Sequence, residues 1–453
     1  MNRGQVVLTV LIASLLVFWP AAGQTKAASA STVIEGATVI DGVSDRPIED
    51  AVIVLEGERI QSVGKRGSVA APNGAAKINA AGKTIVPGLI GLHGHVGRSE
   101  GAETSEENFN RARIQRDANQ YLYFGITHLL SLGHDREAIF GFLAEQRAGK
   151  TTGARLYTVG LGFAAKGGFP TNPYIYRPST PAEARAMAQQ ALAKHPRFLK
   201  LWVDDRRGAA PKLTPELYAP ILEEARKQGV KVVAHIYALD DAKELMRRGV
   251  VALVHSVQDR EVDDEFLRLA KQNGVLQLTT LGGIRRNLDY AEGAPFLNEP
   301  GLRVLFPAKL LETLAGKQYR EKMSKDSDLA LIRSQYEMAA KNAKKVAEAG
   351  ISIAIGTDSG LATAFPGFWE HREMELLVQA GLTPMQAIRA GTLNGARFLG
   401  VDRDYGSLAP GKVADLVVLN ANPLSDITNS RKIDSVWLNG KPVDRAALAA
   451  GRH

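Results

Sequence analysis

The sequence predicts an α/β protein in which a (β/α)8 TIM-like barrel, residues 84–400, carries a small composite β-sandwich domain built from residues 31–83 and 401–445. Two patterns support this fold. Eight short apolar runs alternate with helical stretches through the middle of the chain, and the flanking sections contain β-type runs without helical periodicity. A length of 453 residues suits one barrel with an attached domain. A doubly wound open sheet is the alternative that the alternation leaves open.

The middle section supplies one strand candidate for each barrel position. These runs are Ile85–Leu92, Thr127–Leu132, Leu156–Val159, Phe198–Val203, Val230–Ala234, Val251–Val254, Val275–Leu278 and Ile351–Ile355. Four amphipathic stretches between them predict helices: Pro181–Lys194, Pro215–Gln228, Ala238–Arg248 and Asp263–Gln272. Four glycines each end a helical stretch just before the next strand: Gly229, Gly249, Gly274 and Gly350.

The flanking sections predict β structure. Three β-type runs separated by Gly, Asp and Pro indicate a small antiparallel sheet between Ser31 and Lys83. After Gly400 the β-type texture returns at Ala414–Leu419 and Ile433–Leu438, followed by a tight-turn pair, Asn439-Gly440. Chain termini often lie close together, so we expect the two sections to pair into one domain.

Composition excludes several classes of function. The 56 basic and 48 acidic residues leave a net charge of only +8, and the basic pairs are scattered along the chain. Nucleic-acid binding is therefore not expected, because proteins that bind phosphate backbones concentrate their charge. The chain has no cysteine, which excludes disulfides, thiolate metal sites and a cysteine nucleophile. Any metal must be held mainly by histidines and carboxylates.

The first 23 residues have the features of a secretory signal peptide. Arg3 gives a positive start, Val6–Trp19 is an uncharged apolar run, and Ala21-Ala22-Gly23 offers small residues for cleavage. The run is shorter than the roughly 20 residues of a spanning helix. An uncleaved membrane anchor is the competing interpretation. We expect an exported mature protein, periplasmic or secreted, with no membrane association after cleavage.

Two histidines end the first barrel run, in the segment Gly91-Leu92-His93-Gly94-His95. Strand residues two apart project to the same side, and Gly94 places no side chain between them. The pair is therefore a candidate chelate for one metal ion. Two solvated histidines at a polar strand end would give the same pattern.

His235 and His255 end the runs that predict the fifth and sixth barrel strands. For either residue alone, a hydrogen-bonded core histidine is the favoured interpretation. Together with His93 and His95 they favour a metal site, because a barrel builds its active site at the C-terminal ends of its strands.

Lys200 and Asp358 complete the set of candidate ligands. Lys200 is flanked by large apolar residues, where an ammonium group is costly unless it is paired or modified. A neutral lysine amine can add carbon dioxide to form a carbamate that bridges two metal ions; a lysine that extends to solvent is the alternative. Asp358 follows the last barrel run and suits a metal ligand and proton acceptor, although a helix N-cap or turn aspartate fits equally.

This set resembles the amidohydrolase superfamily, with His-x-His at strand 1, lysine at strand 4, histidines at strands 5 and 6, and aspartate at strand 8. Three flanking segments are similar as well: residues 84–90, 381–388 and 406–418. The resemblance is closest to the imidazolonepropionase-like branch, which includes Xaa-Pro-dipeptidase-type enzymes. It implies that two divalent metal ions, with zinc suited best, are bound by six residues, with a carbamate on the lysine: His93, His95, Lys200, His235, His255 and Asp358.

Two features separate this chain from its relatives. Where relatives often carry Gly-Ile-Thr-Thr-Val-Arg-Asp at strand 2, this chain has a different stretch, residues 125–135, in which His134 is a candidate substrate contact. Imidazolonepropionase itself resembles a one-metal enzyme without the strand-4 lysine, so Lys200 argues against that reaction.

The resulting hypothesis is a metal-dependent hydrolase that cleaves a carbon–nitrogen bond, amide or peptide-like, of a small molecule. A metal-bridging hydroxide attacks the carbonyl, and Asp358 passes its proton to the leaving nitrogen. Tyr237 is a candidate oxyanion donor and Arg98 a candidate partner of a substrate carboxylate; a packing aromatic and a solvated arginine are the alternatives. A lactonase or phosphotriesterase suits the same site, and a non-enzymatic metal- or solute-binding protein is a third option. The family leans toward assemblies, so a homo-oligomer is also an option.

Overall fold

The computed structural model describes Met1 and residues 31–450. The proposed signal peptide therefore lies outside the described residues, apart from Met1. Among the residues that are described, no helix is both long enough and apolar enough to cross a bilayer.

The described chain alternates strands and helices between two sections of sheet. The strands are β1 (Ser31–Val39), β2 (Ile48–Glu56), β3 (Arg59–Lys65), β4 (Ala76–Asn79), β5 (Thr84–Pro87), β6 (Leu89–Gly94), β7 (Ser99–Glu100), β8 (Glu103–Thr104), β9 (Ile126–Ser131), β10 (Arg155–Thr158), β11 (Leu199–Val203), β12 (Val232–Ile236), β13 (Ala252–Val254), β14 (Leu276–Leu278), β15 (Ile353–Ala354), β16 (Leu416–Leu419), β17 (Ile433–Leu438) and β18 (Lys441–Pro442). The helices are α1 (Arg111–Tyr123), α2 (Ala138–Arg147), α3 (Pro181–Leu192), α4 (Pro215–Lys227), α5 (Leu239–Arg247), α6 (Asp264–Gln272), α7 (Leu281–Ala291), α8 (Pro300–Leu305), α9 (Ala308–Ala315), α10 (Lys317–Ser324), α11 (Leu329–Glu348), α12 (Phe368–Gln379), α13 (Pro384–Ala390), α14 (Leu393–Leu399) and α15 (Arg445–Ala450).

Eight parallel strands close into the predicted barrel. Strands β6, β9 and β10 form one parallel sheet, and β11 to β15 form another. One seam is closed by the Leu92 N–H, which donates to the Ile355 carbonyl at 3.0 Å. The other seam is closed where the Phe163 N–H donates to the Lys200 carbonyl at 2.9 Å. The barrel is therefore confirmed, and each of its strands overlaps a predicted run.

The four amphipathic stretches form helices α3 to α6, as predicted. Gly229, Gly249, Gly274 and Gly350 all have positive φ, between 59° and 91°, and each follows the C-cap residue of a helix. This conformation suits glycine because it has no Cβ to clash with the backbone.

Apolar side chains fill the lower part of the barrel interior. Ile90, Leu130 and Val233 from three different strands belong to one buried cluster, which also includes Ala396 and Leu399 of α14. Because the N-terminal end of the barrel is filled in this way, polar groups inside the barrel are left at the C-terminal ends of the strands.

The N- and C-terminal strands form one composite β domain. Its sheet runs in the order β18-β17-β16-β5-β1-β2-β3, with β4 beside β1. The sheet curls, because the Ile60 N–H on edge strand β3 donates to the Lys412 carbonyl just before β16, at 2.9 Å. The section before residue 84 is not purely antiparallel as predicted, since β4 pairs with β1 in parallel.

The first barrel run contains a break that the sequence analysis did not predict. Strand β5 belongs to the composite domain and pairs with β16, and the barrel begins only at β6, after Gly88. A Cβ at Gly88 would lie 2.5 Å from Thr127 Cγ2, so the chain turns between the two sheets at a point where no side chain fits. Thr84–Pro87 therefore pair within the composite sheet, and the first barrel strand begins after Gly88.

Candidate metal centre and active site

Five barrel strands bring six predicted side chains together, five of them from strand ends and Lys200 from within β11. His93, His255 and Asp358 place their ligand atoms within 4.8 Å of one another. His95, Lys200 and His235 surround them, and Lys200 interacts electrostatically with Asp358. The structure thus assembles one cluster from separate parts of the chain, as the sequence predicted; its occupation by metal stays a prediction.

A bulge in β6 aims both histidines of the His-x-His segment into the barrel. Gly91 pairs with Leu129 and Gly94 with Ser131, so three steps on β6 match two on β9. His93 Nε2 and His95 Nε2 then lie 2.7 and 3.3 Å from the same oxygen, Asp358 Oδ1. Gly94 is required between them, because a Cβ there would lie 2.5 Å from Tyr121 Oη.

The hydrogen bonding of His95 indicates that this cluster accepts a cation. Its Nδ1 lies 3.4 Å from the Gly133 carbonyl oxygen, which can only accept, so Nδ1 carries the proton. In a neutral ring, Nε2 then points a lone pair at the Asp358 carboxylate. Two electron-rich atoms 3.3 Å apart require a proton or a metal ion between them, and the donor set therefore fits a divalent cation.

Burial keeps the cluster histidines neutral. It lowers the pKa of His93 to about 4, even though Asp358 acts in the opposite direction. Burial also lowers the pKa of His95 and His235, and it lowers that of His255 well below its ordinary value. Neutral imidazoles are the form that binds metal ions, so the cluster is ready for a cation near neutral pH.

His235 and His255 lie side by side, with ring centroids 4.4 Å apart. Asp204 Oδ2 lies 3.0 Å from His235 Nε2 and accepts a hydrogen bond from that N–H, which leaves the lone pair of Nδ1 on that ring free. Burial opposes ionisation of Asp204, but the hydrogen bonds from His235 and from the Arg206 backbone N–H help to lower its pKa overall. Carboxylates that hold a metal-binding histidine in this way set its tautomer.

Lys200 is buried at the second position of β11, with 1% of its surface exposed. Burial lowers the pKa of its ammonium group to about 7. Its Nζ lies 5.3 Å from the ring centroid of Trp202, and within residues 31–450 it forms no ion pair. The lysine therefore does not extend to solvent, and a substantial fraction of its amine is neutral near pH 7.

Asp358 is held at the end of β15 by its neighbours. Its backbone is left-handed, with φ 57°, which non-glycine residues adopt at a cost and mostly at functional sites. The hydroxyls of Thr357 and Ser359, on either side, donate to Glu370 at 2.8 and 2.6 Å. Burial would raise the pKa of Asp358, but His93 and His95 outweigh it, and the carboxylate is ionised at neutral pH.

Two cavities meet above the cluster. One, of about 420 Å³, is lined by His95, Trp202 and the 169–173 loop; the other, of about 320 Å³, is lined by Tyr237 and helices α7 and α11. Both also contact His235, His255, Asp358 and Phe169. A substrate in this cleft would therefore place one part in each cavity and its central bond over the cluster.

The three predicted substrate contacts have different surroundings. His134 lines the larger cavity, and its Nδ1 accepts from Asn172 Nδ2 at 2.7 Å. Tyr237 lines the smaller cavity, and its hydroxyl accepts from Gln335 Nε2 at 3.2 Å. Arg98 lines the larger cavity but is buried and paired with Glu106. It is therefore not a solvated arginine, and its charge is already neutralised.

Sequence analysis missed several residues that orient this site. Asp204 is the clearest, and its spacing could have found it: Lys200, Trp202 and Asp204 follow the two-residue period of one strand face. Two other residues gave no such signal in the sequence. Thr280 Oγ1 lies 3.5 Å from His93 Nδ1, and Glu370 accepts hydrogen bonds from Thr357 and Ser359. Both come from separate segments that only the fold brings to the cluster.

The fold and the cluster define the class of protein: a TIM-like barrel with a candidate metal centre at the C-terminal ends of its strands. Residues 84–443 match the model of the Amidohydrolase family. The match covers most of the chain, and the chain belongs to this family. The resemblance drawn from the motifs is therefore confirmed.

Known relatives include hydrolases of several substrates. The ochratoxinase of Aspergillus niger is 29% identical over 235 residues, which are 51% of this chain and 41% of that protein. The chain thus matches less than half of the length of this curated relative. Among solved structures, a Xaa-Pro dipeptidase with bound methionine has a TM-score of 0.73 at 23% identity, and the match covers 91% of this chain and 100% of the dipeptidase chain. A putative prolidase from Bifidobacterium longum has a TM-score of 0.71 at 26% identity, and the match covers 92% of this chain and 95% of that protein.

Proposed function

We propose that this protein is a metal-dependent hydrolase that cleaves the carbon–nitrogen bond of an amide or peptide-like small molecule. The observation that carries the proposal is the buried cluster of neutral histidines around the ionised Asp358, at the end of the barrel where this fold performs chemistry. The names of the ochratoxinase, the Xaa-Pro dipeptidase and the putative prolidase support a dipeptide or N-acyl amino acid as substrate.

The cofactor in this proposal is a pair of divalent metal ions, best zinc, held by His93, His95, His235, His255 and Asp358 with a carbamate on Lys200. Burial of Lys200 without an ion pair supports the carbamate, because the modification turns a costly cation into an anion that suits metal ions. Bound zinc would polarise a carbonyl and lower the pKa of water toward ~7.

The protein groups then carry out the remaining steps. Asp358 accepts the proton of the attacking water and delivers it to the leaving nitrogen, because its carboxylate is ionised and lies at the junction of both cavities. Tyr237 lines the smaller cavity, and its hydroxyl donates to the carbonyl oxygen as negative charge develops there. His134 packs against substrate in the larger cavity.

A substrate panel tests the function. The zinc-loaded protein is offered dipeptides and N-acyl amino acids, a set of lactones, and a phosphotriester of the paraoxon type. We expect turnover of the amide substrates, and its loss on treatment with a chelator. Turnover of only lactones or phosphotriesters would instead assign the site to that chemistry, and metal binding without any turnover would indicate a binding protein.

We also propose that residues 1–23 are a signal peptide and that the mature protein is exported, periplasmic or secreted. The positive start and the apolar run from Val6 to Trp19 support this. N-terminal sequencing of the protein recovered from the exported fraction is expected to start within a few residues of Gly23; a full-length protein in the membrane fraction would indicate an anchor. Light scattering of the same sample tests for a homo-oligomer.

A further inference from the structure

The smaller cavity contains two adjacent arginines that the proposed mechanism does not use. Arg206 and Arg207 lie on the turn after β11 and line this cavity together with His235, His255 and Asp358. Both side chains are exposed, and within the described residues neither forms an ion pair. Two unpaired cations beside the candidate metal centre are therefore available to a ligand.

The turn that carries the arginines is held in an unusual conformation. Arg206 and Arg207 are both left-handed, with φ 51° and 64°, although neither is glycine. The Arg206 N–H donates to Asp204 Oδ1 at 2.7 Å, and the Gly208 N–H donates to Asp205 Oδ1 at 3.0 Å. Consecutive left-handed residues persist only where the surroundings impose them, and such strain concentrates at functional sites.

The same turn is coupled to the candidate ligands. Asp204 bonds the Arg206 backbone through one oxygen and His235 Nε2 through the other. The Arg206 guanidinium stacks on Phe169, 4.8 Å from the ring centroid, and that ring lies 5.5 Å from the His235 ring. Phe169 therefore contacts both the Arg206 guanidinium and the His235 ring, so Arg206 lies close to the candidate metal ligands.

The charges of the two cavities differ. In the larger cavity the one arginine, Arg98, is neutralised by Glu106, and the other walls include Trp202 and Leu361. With no unpaired arginine among its described lining residues, this cavity suits the uncharged acyl part of a substrate better than a carboxylate. In the smaller cavity, Arg206 and Arg207 are unpaired cations within the described part of the chain, and the aspartates of its lining include Asp326 and Asp328 just before α11.

We propose that Arg206 and Arg207 form the anion subsite of the cleft and bind a carboxylate carried by the leaving amine. This inference rests on the proposed function and deepens it, since it specifies N-acyl amino acids and dipeptides with a free carboxylate as the substrate class. It also transfers to these two residues the carboxylate contact that the sequence assigned to Arg98.

Equilibrium binding tests the subsite without depending on catalysis. The probes are N-phenylsulfonylglycine and its neutral analogue N-phenylsulfonylethanolamine, whose sulfonamide bond is not a substrate for this reaction. Titration calorimetry is carried out on the zinc-loaded wild type, Arg206→Gln, Arg207→Gln and the double variant. Arg226→Gln is the matched control, because Arg226 is an exposed arginine of α4 that lines neither cavity.

The wild type and the Arg226→Gln control are expected to bind the acid at least about tenfold more tightly than the neutral analogue, as one charge-assisted contact provides. Each single variant should lose part of this preference and the double variant nearly all of it, with binding of the neutral analogue unchanged. Equal binding of the two probes by the wild type, or a preference that persists in the double variant, would overturn the assignment.

Turnover is measured in parallel with hippurate and hippuramide, which differ only in the same carboxylate. The subsite would be supported if the wild type has a lower KM for hippurate than for hippuramide and the double variant loses this difference. The kcat of the double variant for hippuramide should change little. Selective binding of the acid probe by a protein that hydrolyses neither compound nor any other amide would contradict the proposed function and still support the subsite.

Discussion

Asp204 offers the sharpest test of how the protein prepares its metal centre. Its carboxylate accepts a hydrogen bond from the Nε2–H of His235 at 3.0 Å and is 5% exposed, so it fixes the tautomer in which Nδ1 carries the lone pair. In Asp204→Asn the side-chain amide can turn and donate to Nε2, and this moves the ring proton to Nδ1. The favourable tautomer is then no longer imposed, while the size of the side chain is unchanged.

Removal of such a supporting group typically weakens metal affinity 10- to 100-fold, which corresponds to about 1.4 to 2.7 kcal/mol. We expect a loss in this range for zinc in Asp204→Asn, measured by competition with a chromogenic chelator at pH 7. Because the contact is buried, solvent should not screen the effect.

Asp205→Asn is the matched control for this experiment. Asp205 is the next residue, loses the same charge on substitution, and contacts Lys212 and the Gly208 N–H rather than a histidine. Its zinc affinity should stay within about twofold of the wild type. An unchanged affinity in Asp204→Asn, or an equal loss in both variants, would refute the argument from the tautomer of His235.

Three further predictions concern other parts of the site and fold. Asp358→Asn should retain most of its zinc and lose about 10²- to 10⁴-fold in kcat, whereas near-normal turnover would remove Asp358 as the proton carrier. Gly94→Ala should lower the free energy of unfolding by about 1–3 kcal/mol and reduce the zinc content, because the new Cβ meets Tyr121 Oη. Gly141→Ala is the control and should have neither effect, because the space around its Cβ is open. Equal melting temperatures of the two variants would contradict this prediction. Burial lowers the pKa of His371 to about 4, so the unfolded chain binds a proton first and unfolding free energy falls as pH drops from about 6.5 to 4. Between pH 7 and 5, the free energy of unfolding of His371→Gln, measured by urea titration, should therefore fall by about 2 kcal/mol less than that of the wild type. An identical fall in both proteins would argue against a neutral buried imidazole.

The sequence was sufficient to predict the barrel and the cluster, because both follow from local patterns. The two-residue period of a strand placed His93 and His95 on one side, and strand ends located His235, His255 and Asp358. These signals depend only on where each strand stops. The fold then brings all the strand ends to one face.

Contacts between distant segments could not be predicted in the same way. The run Ile85–Leu92 has one uniform apolar texture, yet Gly88 divides it between two sheets, since both halves are buried strands. Arg98 followed a metal-binding motif and suggested a substrate contact, but Glu106, eight residues later, folds back onto it. The two-residue spacing places Asp204 on the same strand face as Lys200, but only the pairing of β11 with β12 shows that it supports His235.

The most direct test of the account is a crystal structure of the zinc-loaded protein with anomalous diffraction data collected on both sides of the zinc absorption edge. We expect two anomalous peaks within the ring formed by His93, His95, His235, His255 and Asp358, and additional density on Nζ of Lys200 that bridges them. Zinc bound elsewhere, or a ring that stays without metal under saturating zinc, would contradict the central claim.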